Sequence, residues 1–123
     1  FNEEIYEILR KYNFPLCIAH SPRPSYECFA IHDEKEVGQT REGRGSPYWP
    51  CVEEITADSI YLRFHGGESL YGSNYSDEEL KSWARKAKRW LKEDKTVYAY
   101  FNNDAYGYAV KNALRLKEMI SAM

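Results

Sequence analysis

Much is absent from this sequence, and each absence removes a class of protein. No apolar run approaches the roughly 20 residues that a membrane-spanning helix needs, and no secretory leader pattern opens the chain. Neither sign of charge dominates: 17 Lys and Arg face 19 Asp and Glu, a net charge of −2. Neither nucleic acid nor an anionic membrane is therefore announced as a partner. Cysteine is scarce. Cys17, Cys28 and Cys51 are an odd set without CxxC spacing, which argues against a disulfide framework or a cysteine zinc site and fits a reducing cytoplasm. No HxH or HExxH pair marks a metal centre, no GxSxG or cysteine–histidine signature marks a nucleophile, and no pattern names a cofactor. An initial methionine is also missing. The chain opens at Phe1 and runs directly into a helical pattern, which reads as a chain with something removed upstream.

What is present is a single-domain length, 123 residues. That length allows a real core, yet it is only about half of a usual (β/α)8 barrel of roughly 250 residues. Eleven tyrosines demand walls, pockets or interfaces to hold them. The most legible stretch is residues 59–66, Ser-Ile-Tyr-Leu-Arg-Phe-His-Gly. It is rich in β-formers and ends on Gly66-Gly67. Side chains alternate along a strand, so Ile60, Leu62 and Phe64 share an apolar face, while Tyr61, Arg63 and His65 share the other. Such a strand suits a barrel wall, with helices outside and a polar mouth inside; it also suits an exposed sheet whose second face meets water.

The remaining elements follow in order. Residues 2–11 read as a short amphipathic helix, with Ile5, Ile8 and Leu9 at helical spacing and Asn2, Glu3 and Glu4 at its start. Asn13 and Pro15 stop it. A short strand over residues 16–19 ends at His20. Residues 25–55 form a long irregular link with no clean period, which for a compact domain is long enough to imply function or mobility. Within it, the Gly43-Arg-Gly45 stretch lacks the endings of the phosphate-binding motifs and reads as a flexible turn. Ser76 and Glu79 spell a capping box for a helix reaching residue 92, with Leu80, Trp83, Ala84, Ala87 and Leu91 on its apolar face. Its basic run, residues 85–92, reads as a solvated face. Residues 96–102 form a third strand: Val97, Ala99 and Phe101 on one side, Tyr98, Tyr100 and Asn102 on the other. A last helix over about residues 106–121 carries Ala109, Ala113, Leu116 and Ile120, with Val110 and Leu114 beside them. Strands separated by helices imply parallel crossovers. The fold class is α/β, parallel strands with helices in a partial TIM-barrel-like (β/α) arrangement.

Several stretches in register carry a resemblance. Tyr61-Leu-Arg-Phe-His-Gly66, Tyr75-Ser-Asp-Glu-Glu-Leu80 with Trp83, Val97-Tyr-Ala-Tyr-Phe-Asn-Asn-Asp104 and Ala109-Val-Lys-Asn-Ala-Leu114 resemble the YecE-like family, domain of unknown function 72. The likeness runs from about residue 60 to 120, fits residues 1–24 more loosely, and finds no counterpart for residues 26–54. It implies a TIM-barrel-like fold, a loose relation to sugar isomerases without an established reaction, and a chain matching the family's carboxyl-terminal part. Three strands do not close a barrel, and open edges invite pairing. The expected partners are thus a small-molecule ligand, a second copy, or a missing amino-terminal segment.

Sites in parallel barrels gather at the carboxyl ends of strands. His65 and Arg63 are the candidate catalytic residues: histidine moves protons near neutral pH, and arginine forks onto carboxylate or phosphate. Asn102, Asn103, Asp104, His20 and Tyr71 are the candidate substrate-binding residues. Bland alternatives stand beside each. His65 also reads as a satisfied structural histidine, Arg63 as a buried ion-pair partner, and Asn102 to Asp104 as caps for the final helix. Tyr71 and Tyr75 read equally as packing, and Asn112, a poor mid-helix residue, reads as an anchor for a backbone group. The two functional readings are a polar small-molecule site, enzymatic in kind, and a binding or interaction module or inactive barrel piece.

Overall fold

The computed structural model describes residues 2–21, 51–66 and 72–123. Most of the long link, residues 25–50, and Tyr71 lie outside the described residues. The order is α1 (Glu3–Lys11), β1 (Cys17–His20), β2 (Ser59–Phe64), α2 (Asp77–Lys92), β3 (Thr96–Phe101), a 3₁₀ turn (Ala105–Gly107) and α3 (Tyr108–Ala122). The three strands form one parallel sheet in the order β1-β2-β3. This is the α/β arrangement expected, a partial TIM-barrel-like set of βα units. Among the described residues no helix is long and apolar enough to cross a membrane.

Local chemistry explains the element ends. Asn2 Oδ1 accepts from Ile5 N at 3.1 Å and caps α1, whose first turn holds Glu3 and Glu4 and whose last turn holds Arg10 and Lys11. Those charges oppose the helix dipole at both ends. Asn13 then takes a left-handed φ of 53°, a conformation asparagine tolerates. The Asn13 side chain accepts from Asp58 N at 2.9 Å. Thr56 Oγ1 donates to Phe14 O at 2.6 Å and accepts from Leu16 N at 2.9 Å. The entry to β2 is thereby laced to the entry to β1. Two ion pairs brace the same segment, Glu54 with Arg10 and Glu53 with Lys86.

The core lies on one side of the sheet. Ile18, Ile60, Leu62 and Phe64 pack against Leu80, Trp83, Ala84 and Trp90 of α2 and Leu116 of α3. The capping box forms as expected: Ser76 Oγ accepts from Glu79 N at 3.1 Å, and Glu79 Oε2 accepts from Ser76 N at 2.9 Å. Two helix faces differ from expectation. In α2 the last turn buries Trp90 and leaves Leu91 42% exposed, because the larger indole covers more of the sheet than leucine would. In α3 the buried positions are Ala109, Asn112 and Leu116, while Val110 and Leu114 face out. Asn112 turns the helix inward for its hydrogen bonds, at the expense of an all-apolar stripe.

Cysteine also departs from expectation. Cys51 is disulfide-bonded, to a partner outside the described residues, and Cys17 is a free, exposed thiol. An odd count excludes complete pairing but not one bridge, so the support it lent to a reducing compartment falls away.

Candidate functional site

The sheet's second face carries no helix among the described residues. Parallel partners keep step, so residues of one parity form rows across the strands. Cys17, Tyr61 and Tyr98 make one row, and Ala19, Arg63 and Tyr100 the next. The ladder ends at His20, Phe64 and Phe101, and its last bonds reach the next residue of each following strand. His65 N donates to His20 O at 2.8 Å, and Asn102 N donates to Phe64 O at 2.9 Å. His65 and Asn102 consequently stand side by side at the carboxyl ends of β2 and β3, one step above Arg63.

Three side chains meet there. Turned so that its nitrogen faces the Phe64 carbonyl, the Asn102 amide donates to Phe64 O at 3.0 Å and accepts from Arg63 Nη2 at 3.2 Å, and His65 Nδ1 lies 3.0 Å from it, the direction of that bond being set by the histidine tautomer. Arg63 Nη1 donates to Tyr61 Oη at 3.3 Å. The Tyr61 and Tyr100 rings lie 5.3 Å apart and wall the guanidinium's side of the face. His65 is buried, 7% exposed. Burial above all, and the neighbouring Arg63 charge after it, hold its pKa below the ordinary histidine value. At neutral pH it is an uncharged imidazole beside a permanent cation.

The other sequence candidates go elsewhere. His20 shares its row with Phe64 and Phe101, which is the helix-covered face. Its ring packs 5.7 Å from Trp83 and 5.5 Å from Tyr75, and its Nδ1 lies 2.8 Å from Tyr75 Oη. Tyr75 is itself core: Gly66 N donates to its hydroxyl at 3.0 Å, and burial pushes that hydroxyl's pKa up. Asn103 is wholly buried. Its amide donates to Ser73 O at 2.9 Å and to Asn112 Oδ1 at 2.8 Å. Asn112 also accepts from Tyr75 N at 3.2 Å and donates to Asn74 Oδ1 at 2.8 Å. This pair ties the loop before α2 to α3, so Asn112 does anchor a backbone group, that of Tyr75. Asp104 is exposed and makes no side-chain cap; Gly107, at φ 74°, stands at the start of α3 instead. Tyr71 lies outside the described residues. Of the seven candidates, the structure gathers His65, Arg63 and Asn102.

What sequence reading missed is Ser21. Counting the strand's alternation one residue beyond His20 would have found it, since it returns to the face of Ala19 and Arg63. Among the described residues no three His, Cys, Asp or Glu side chains gather as a metal would require. A hollow of about 620 Å³ lies remote from these groups, bordered by Asp77, Arg115 and Met119. Its polar rim is the exposed Arg115–Asp77 fork at 3.0 and 3.2 Å.

A parallel sheet packed under α2 and α3, with a polar cluster at the strands' carboxyl ends, defines the class: a partial TIM-barrel-like α/β arrangement. More narrowly, the chain belongs to the DUF72 family, described as a protein of unknown function, whose sequence model matches residues 1–123. The match includes residues 26–54, for which the motifs alone showed no counterpart. Among solved structures, a DUF72 family protein from Thermotoga maritima is 29% identical, with a TM-score of 0.65 over 98% of this chain and 42% of that one. Two crystal structures of a DUF72 family protein from Enterococcus faecalis share the fold at 19% and 20% identity, with TM-scores of 0.67 and 0.65. They are covered over 41% and 42% of their length, against 97% of this chain. The chain thus spans about two fifths of the solved relatives it matches. No curated protein matches it.

Proposed function

We propose that the Arg63–His65–Asn102 cluster binds a small, polar, anionic molecule, sugar-like or phosphorylated, at the carboxyl ends of β2 and β3. The observation that carries this reading is the convergence of the three side chains through one amide, with the Arg63 and His65 nitrogens within 3.2 Å of it. Each group has a separate task. Arg63 supplies the charge and the planar fork that a carboxylate or phosphate accepts. Asn102 is pre-oriented by the Phe64 carbonyl and presents an amide to a hydroxyl or carbonyl. His65, uncharged at neutral pH, is equipped to take a proton from a carbon or hydroxyl of the ligand, as sugar-isomerase chemistry would require.

The test is a ¹H–¹⁵N NMR titration of the full chain with inorganic phosphate and glycerol 3-phosphate. Shifts clustered on Arg63, His65 and Asn102, weakened about tenfold or more by Arg63→Gln, support the reading. No shift at these residues with either compound defeats it.

A second reading, a non-catalytic interaction module, is favoured by one observation. Tyr98 and Tyr100 are 49% and 51% exposed on the face of β3 that no described helix covers, and β3 is the last strand of the described sheet. A second copy or a further segment would cover them and pair the edge of β3 that no described strand occupies. Light scattering separates the two: a monomer at all concentrations removes self-association.

A further inference from the structure

The row that holds His65 and Asn102 has a third position, on β1's continuation. The last paired residues are His20 and Phe64, and the bond from His65 N to His20 O closes that pair. Ser21 follows His20 as His65 follows Phe64, so the two are the next residues of neighbouring strands. Alternation returns Ser21 to the face of Ala19 and Arg63. Ser21 is 5% exposed, and its hydroxyl has no hydrogen-bond partner among the described residues. Native chains seldom keep such a group, because a buried hydroxyl without a partner is disfavoured against hydration. An alanine would fill the same place without that penalty.

We propose that Ser21 contacts the ligand, its hydroxyl completing a Ser21–His65–Asn102 row that reads the hydroxyl groups of a molecule whose anionic end is held by Arg63. The proposal rests on the site reading above and narrows it. A hydroxyl both donates and accepts, and so does the neutral imidazole beside it; the Asn102 amide offers both as well. Three dual-character groups, next to the Arg63 guanidinium, match a carboxylate or phosphate carried on a hydroxylated carbon chain. They match inorganic phosphate less well, since it has no carbon-borne hydroxyls and its oxygens are mostly acceptors.

The experiment compares wild type with Ser21→Ala, as full chains, in NMR titrations with glycerol 3-phosphate, glycerate and inorganic phosphate, alongside thermal unfolding without ligand. Wild type is expected to bind at least one of the two hydroxylated anions more tightly than inorganic phosphate. Which of the two it prefers identifies the anionic end. Ser21→Ala should lose about 3- to 10-fold on that compound, the worth of one hydrogen bond, and nothing on inorganic phosphate. Its unfolding midpoint should stay level or rise, because the variant removes an unpaired buried hydroxyl. Unchanged affinity in Ser21→Ala, with wild type still binding, overturns this proposal and spares the site. A midpoint several degrees lower shows a structural hydroxyl and also overturns it. Wild type without affinity for any of the three overturns both.

Discussion

Phe64 and Arg63 are chain neighbours that live in different surroundings. Phe64 is fully buried, its ring 5.1 Å from Trp83 and 4.5 Å from Phe101. Arg63 lies on the opposite face among tyrosine hydroxyls and an amide. One face of this sheet is a conventional core, closed by α2 and α3. The other is a tyrosine-walled polar surface whose most buried end holds His65 and Asn102. The difference teaches that strand parity divides the packed core from the polar cluster on which the proposed site rests. A substitution at an even position of β2 should act on folding, and one at an odd position on recognition.

The sharpest way to break that division is to truncate one residue on each face. Phe64→Ala should lower unfolding free energy by about 3–5 kcal/mol, as loss of a buried aromatic does. Tyr100→Ser, half-exposed on the other face, should change it by no more than about 0.5 kcal/mol. Urea unfolding of both variants decides it, and similar costs for the two would show that the bare face is core as well.

A smaller effect is expected at the joint between loop and helix. Asn112→Ala removes one of the two acceptors of the Asn103 amide and strands Tyr75 N, and should cost about 1–3 kcal/mol. Hydrogen exchange at the Tyr75 amide should quicken in the same variant. An Asn112→Ala chain as stable as wild type would show that water replaces the amide.

The smallest effect concerns pH. The folded pKa of His65 lies below its unfolded value of about 6.5. The unfolded chain therefore binds a proton first as pH falls, and stability depends on the difference. His65's contribution is fully present above about pH 6.5 and is lost as pH drops through the depressed folded value. His65→Gln should flatten the slope of stability against pH in that window. Parallel profiles for the two proteins would mean that burial does not hold this imidazole neutral.

Much of this was readable beforehand for a simple reason. Periods of 2 and 3.6 are local, so the elements, the parity of β2 and β3, and the Ser76–Glu79 cap follow from neighbouring residues alone. His20 shares the parity of Ile18, so alternation places it on the apolar face; its position at a strand's carboxyl end does not by itself make it a site residue. In the sequence Asn103 reads as ligand-facing; in the fold Asn112, nine positions on, claims its amide. Trp90 displaced Leu91 for a reason of volume, which periodicity does not weigh. Cys51's bridge was hidden by an odd count that says nothing about which thiol is left over.

By itself, then, the sequence determined the alternation of helix and strand, the two-sidedness of β2, and which residues carry charge and titratable groups. Only the tertiary structure decided that Arg63, His65 and Asn102 share one corner while His20 and Asn103 serve the packing. The physical reason is that alternation assigns a side chain to a face but not to a neighbour. Neighbours across a parallel sheet are set by the register of hydrogen bonds between strands that lie tens of residues apart in the chain.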